Sequence, residues 1–62
     1  MAMKQFKIGW TYEEVMKAVQ DGYFELINTY ENIYSYYEYY QYRKYYPKYV
    51  LFENGKVVSI ND

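Results

Sequence analysis

The chain has 62 residues, a formal net charge of −1, twelve tyrosines, one proline, and neither cysteine nor histidine. That excludes disulfides, the usual zinc sites, thiol nucleophiles and imidazole bases together. It also leaves one domain, spanning 1–62, whose own core is only marginally sufficient at this size. Oligomerisation or rich aromatic packing is therefore expected to supplement it.

No apolar run approaches the roughly 18 residues of a membrane span, and no charged-then-apolar leader opens the chain. A soluble, cytoplasmic protein is the plain expectation. The near-zero net charge gives no global field for nucleic acid. The charges are uneven, however. Residues 1–31 hold three lysines against five acids, whereas Arg43, Lys44 and Lys48 stand between Gln41 and Tyr49 without an acid.

In chain order, Lys4–Trp10 alternates apolar and polar residues, which predicts a half-buried strand. Thr11 followed by Glu14 has capping-box spacing, with Trp10 placed as a hydrophobic staple. Val15, Met16, Ala18 and Val19 form an apolar stripe, so a helix is expected over about 11–21, stopped by a left-handed Gly22. Residues 23–27 read as either a short strand or the first turns of a second helix; the strand is favoured because Asn28 has cap spacing to Glu31.

Half of the residues from Tyr30 to Tyr49 are tyrosine. Polar residues at Asn32, Ser35, Glu38 and Gln41 recur at helical spacing, with Tyr30, Ile33, Tyr34, Tyr37 and Tyr40 between them. That predicts a helix over about 29–46 ended by Pro47; a twisted pair of tyrosine-rich strands is the rival. Residues 49–52 and 56–60 are β-branched and aromatic runs around Asn54-Gly55, the strongest short hairpin signal. The expected fold is α+β: a small antiparallel sheet, made of the N-terminal strand, the C-terminal hairpin and optionally a strand at 23–27, packed against two helices.

No catalytic, metal or cofactor set emerges. Glu13 and Glu14 read as capping charges, and Gly9, Gly22 and Gly55 are isolated rather than a phosphate loop. The protein is not expected to be an enzyme. The tyrosines are the remaining signal. Tyr30, Tyr34 and Tyr37 are assigned to the core side of the second helix. Tyr36, Tyr39, Tyr42, Arg43, Tyr46 and Lys48 are assigned to a partner-binding face, since tyrosine offers large rigid area with a polar tip.

Three readings follow. The first is a protein-binding module, self-associating as a homodimer or bound to another protein. The second is single-stranded nucleic-acid binding, with aromatics and bases interleaved over 42–49. The third is a scaffold without ligand, its tyrosines supplied by the codon bias of an AT-rich genome. In size and composition the chain looks like the small orphan proteins of phages and mobile elements of low-GC bacteria, which implies an inhibitor of a host protein and favours the first.

Overall fold

The computed structural model describes residues 6–19, 22–43 and 47–61. One helix, α1 (Tyr12–Ala18), precedes four strands: β1 (Tyr23–Glu31), β2 (Tyr36–Arg43), β3 (Pro47–Glu53) and β4 (Lys56–Asn61). The strands form an antiparallel meander in the order β1-β2-β3-β4. The molecule is elongated, with extents of 42 × 19 × 17 Å.

The expected second helix over 29–46 is corrected by this sheet. Residues 29–31 finish β1, and β2 takes 36–43; residues 44–46 lie outside the described set. Tyrosine favours a pleated, half-buried surface, and Asn32 makes the reversal between the strands. Its Oδ1 accepts from the amides of Tyr34 and Ser35 at 2.7 and 2.8 Å, and its own amide donates to the Ser35 carbonyl at 3.0 Å. A short polar side chain that satisfies local amides in this way competes with helix formation. The strand at 23–27 exists as the first part of β1.

The N-terminal strand is also corrected. Residues 4 and 5 lie outside the described set, and residues 6–10 form no strand. They make a turn whose backbone borders β4 instead. Gly9 donates to the Val57 carbonyl and Val57 donates to the Trp10 carbonyl, both at 2.8 Å. Gly9 has a φ of 93°, which a side chain would resist.

Helix α1 starts as its sequence requires. Thr11 and Glu14 form a reciprocal capping box, with the Thr11 amide donating to Glu14 Oε1 at 2.9 Å and the Glu14 amide donating to Thr11 Oγ1 at 3.2 Å. The helix ends at Ala18, earlier than expected, with Val19 extended. Gly22 is not a left-handed stop, because positive φ among glycines occurs only at Gly9 and Gly55 in the described residues. Its missing side chain matters for another reason: a Cβ there would run into the Tyr42 ring.

The hairpin at Asn54-Gly55 forms as read, with φ of 50° and 84° at the two turn residues and Glu53 paired with Lys56.

Alternation places the core. Tyr40 and Tyr42 of β2 sit opposite Val50 and Lys48 of β3 and Leu26 and Phe24 of β1. With Phe52, Val57, Phe6, Val15 and Ala18, these two tyrosines are buried. Trp10, Val19, Phe24 and Ile60 pack around them. Tyr12 on α1 reaches the rings of Phe24, Tyr40 and Phe52 at 6.3, 5.6 and 5.8 Å between centroids, so α1 covers this inner face. Phe24 stacks on Tyr40 at 4.6 Å and 7°. Rich aromatic packing thus supplements the small aliphatic core.

Candidate functional site: the open face of the sheet

One side of the sheet is covered in part by α1, and the other side has no layer over it among the described residues. Pairing fixes what this outer face displays. The row Tyr23–Arg43–Pro47 lies at one end, followed by Glu25–Gln41–Tyr49–Asn61 and Asn28–Tyr39–Leu51–Ser59. The row Tyr30–Tyr37–Glu53–Lys56 lies at the other end. The register slips by one residue at Ile27 in β1. That bulge moves Asn28 and Tyr30, rather than Ile27 and Thr29, onto the outer face.

Among the described residues, five tyrosines therefore share the outer face: Tyr23, Tyr30, Tyr37, Tyr39 and Tyr49. They are organised across strands. Tyr39 and Tyr49 stack with centroids 5.7 Å apart and planes 7° from parallel. Tyr30 and Tyr37 approach to 5.9 Å. Tyr37 Oη donates to Glu53 Oε2 at 3.2 Å, beside Ser35 Oγ donating to the same oxygen at 2.8 Å. Gln41 Nε2 donates to Tyr49 Oη at 3.4 Å. These contacts hold the rings in place while Tyr23 and Tyr30 remain largely exposed. Cross-strand aromatic pairs of this kind contribute roughly 0.2–1 kcal/mol each.

The residues assigned from sequence to one binding face are dispersed. Tyr39 and Arg43 are on the outer face. Tyr42 is in the core at 6% exposure. Lys48 is half-buried on the inner side, opposite Tyr42. Tyr36 is exposed near the turn between β1 and β2, on the inner-face parity, its amide donating to Asn54 Oδ1 at 2.9 Å. Tyr46 lies outside the described residues. Among the residues assigned to core, Tyr30 and Tyr34 are exposed, and Tyr37 is on the open face.

Tyr23, Tyr30 and Tyr37 were missed as surface candidates, and Tyr49 entered only through the nucleic-acid stretch 42–49. Reading 36–43 with a period of 2 would have grouped Tyr37 with Tyr39, and pairing that strand antiparallel with 47–53 would have added Tyr49. The first would have required preferring strand to helix for a run with tyrosine at both parities.

Electrostatically the outer face is mixed, with Glu25 and Glu53 against Arg43 and Lys56. The titration behaviour that stands out belongs to the inner side. Burial, and then the nearby Glu38 charge, push the Tyr40 phenol up to about 12. No group of acidic, histidine or cysteine side chains among the described residues could hold a metal ion. No helix there is long and apolar enough to cross a membrane.

No protein-family model matches the chain, and neither curated proteins nor solved structures give a match.

Proposed function

We propose that the protein is a non-enzymatic, cytoplasmic protein-binding module whose working surface is the open face of the sheet. The observation that carries this is the grouping of Tyr23, Tyr30, Tyr37, Tyr39 and Tyr49 on the side away from α1. A sheet face with one covered side ordinarily turns polar residues to water. Here it turns phenols, which supply rigid contact area at little cost in side-chain entropy. The stacked Tyr39–Tyr49 pair forms the centre, with Tyr23 and Arg43 at one end and Tyr30 at the other. The mode of action is occlusion: a partner held on this face is blocked by contact alone. The size and composition shared with small phage and mobile-element proteins support an inhibitory role.

Single-stranded nucleic-acid binding draws less support. Tyr42 in the core and Lys48 on the inner side separate the bases and aromatics that reading needs on one surface. Glu25 and Glu53 also stand among the outer tyrosines, where phosphates would have to run.

The test is affinity capture from the native cell with the wild-type chain and with a Tyr39→Ala/Tyr49→Ala variant. A hot-spot tyrosine contributes about 2 kcal/mol or more, so the variant should hold its partner at least about 30-fold more weakly. Equal capture by both proteins would overturn the assignment of the face. Tight binding of labelled oligonucleotides at low salt, with no protein captured, would replace it with the nucleic-acid reading.

A further inference from the structure

The two ends of the sheet are unlike. At the end that carries the β1–β2 turn, the rows through Tyr36, Tyr37 and Glu38 hold Glu31, Glu38 and Glu53 against Lys56. Helix α1 begins at this end, because Thr11 bridges Lys56, and it adds Glu13 and Glu14 in its first turn. At the opposite end, the rows through Gln41, Tyr42 and Arg43 hold Arg43 and Lys48 against Glu25. The chain after α1 arrives there, with Gly22 against Tyr42, and Lys17 is in the last turn of the helix. Among the described residues, the elongated body thus has an acidic end and a basic end.

The acidic end is also apolar at its tip. Ile33 and Tyr34 are 88% and 84% exposed, above every other exposed large apolar residue described. Their turn is fixed by the Asn32 contacts given above and by Ser35, which donates to Glu53 and accepts from Asn54 Nδ2 at 3.4 Å. A tip held in one conformation loses little entropy on docking. The basic end offers a matching seat. Arg43 is exposed there and is flanked in the sheet by Tyr23, 58% exposed, and Pro47. An aromatic ring arriving on this row meets a guanidinium that favours its face, and the acids behind the ring meet positive charge.

We propose that the Ile33–Tyr34 tip of one copy docks on the Tyr23–Arg43–Pro47 end of a second copy, head to tail. The contact is heterologous, so a docked pair keeps one free tip and one free seat, and assembly is open-ended rather than a closed dimer. It is driven partly by exposed charges and is therefore weakened by salt. This association does not rest on the partner-binding role of the tyrosine face. A membrane surface is the other environment that an Ile–Tyr tip could enter, and Glu31 and Glu53 beside the tip oppose an anionic one.

Sedimentation velocity on the full chain, from micromolar to millimolar concentration, tests the proposal with two surface variants, Tyr34→Asp at the tip and Arg43→Glu at the seat. For the wild type, the weight-average mass should rise past twice the monomer mass with concentration. It should fall back towards monomer in about 1 M salt, where the screening length is about 3 Å. Each variant alone should stay monomeric. Their equimolar mixture should form one-to-one dimers and nothing larger, since the tip variant keeps its seat and the seat variant keeps its tip. Circular dichroism of both variants should match the wild type. A wild type that stays monomeric throughout would overturn the proposal. So would a mixture that forms no dimer, variants that assemble like the wild type, or a monomer that instead pellets with phosphatidylcholine–phosphatidylserine vesicles.

Discussion

Strand β2 carries the same side chain to two different fates. Tyr40 and Tyr42 face α1 and are buried, while Tyr37 and Tyr39 face the open side and pack against Tyr30, Tyr49 and Glu53. Chemistry does not distinguish these four residues; parity along the strand does. A tyrosine on the inner parity substitutes for the aliphatic residues that this small chain lacks, with its ring against Phe24, Phe52 or Phe6. A tyrosine on the outer parity adds modestly to the sheet and leaves a face to offer. Tyrosine abundance alone therefore says little about function, and distribution over the two faces says more.

The contrast can be broken most forcefully from the inner side. Phe52 is fully buried and touches the rings of both Tyr12 and Tyr40. Phe52→Ala should cost about 3–5 kcal/mol, which for a domain of this size should abolish the cooperative transition in urea. A cooperative transition with an unchanged midpoint would show that the inner face is not the core.

Tyr40 gives a subtler handle through pH. Below about pH 10 its phenol is protonated in both the folded and the unfolded chain, so its contribution is complete. As pH rises towards about 12, the unfolded chain releases the proton first and the fold loses stability. The loss amounts to at most about 2–3 kcal/mol by the conversion of about 1.4 kcal/mol per unit. Tyr40→Phe should flatten that part of the profile relative to wild type, read as the difference between their denaturation midpoints across the window. Parallel profiles would mean that the phenol is not held neutral by the fold.

Gly22→Ala should cost about 1–3 kcal/mol, because the new methyl meets the buried Tyr42 ring. Pairing it with Tyr42→Leu, which shortens the side chain, should recover part of that loss. Additive losses would show that the two positions do not meet. The outer face should respond least: Tyr39→Ala/Tyr49→Ala removes one stacked pair, a change of about 1 kcal/mol or less in thermal stability. A collapse of the fold would move this pair to the structural side of the comparison.

Part of this was legible in the sequence, for local reasons. The Thr11–Glu14 capping box and the Asn54-Gly55 turn depend on a few adjacent residues with demanding backbone chemistry, and both form as read. The assignment of 29–46 failed because tyrosine occupies both parities of 36–43. Alternation is invisible when inner and outer residues are the same type, and the surviving polar residues happened to fall near helical spacing. The decisive local signal was Asn32, whose side chain takes two amides and turns the chain. The position read as helix initiation at Asn28 is instead just past the Ile27 bulge, where its Oδ1 accepts from the next amide, that of Thr29, at 2.8 Å. The role of Gly22 was not recoverable either, since it depends on a ring twenty residues further on.

The site was legible only as a tendency. This small domain does not bury all its phenols, but the surface that shows them is a sheet face, not a helix. Of the five described residues assigned to it, only Tyr39 and Arg43 lie on the outer face. Charge was informative: the described bases of the acid-free run, Arg43 and Lys48, lie at one end of the sheet, which no periodicity would have indicated.

The central claim is that the inner tyrosines make the fold and the outer tyrosines make the contact. The most direct measurement is partner capture and thermal stability, read in parallel, for a variant carrying Tyr23→Ser, Tyr39→Ser and Tyr49→Ser. The account predicts a cooperatively folded protein, destabilised by no more than about 2 kcal/mol, that no longer retains its partner. A folded variant that retains its partner at wild-type strength would contradict it.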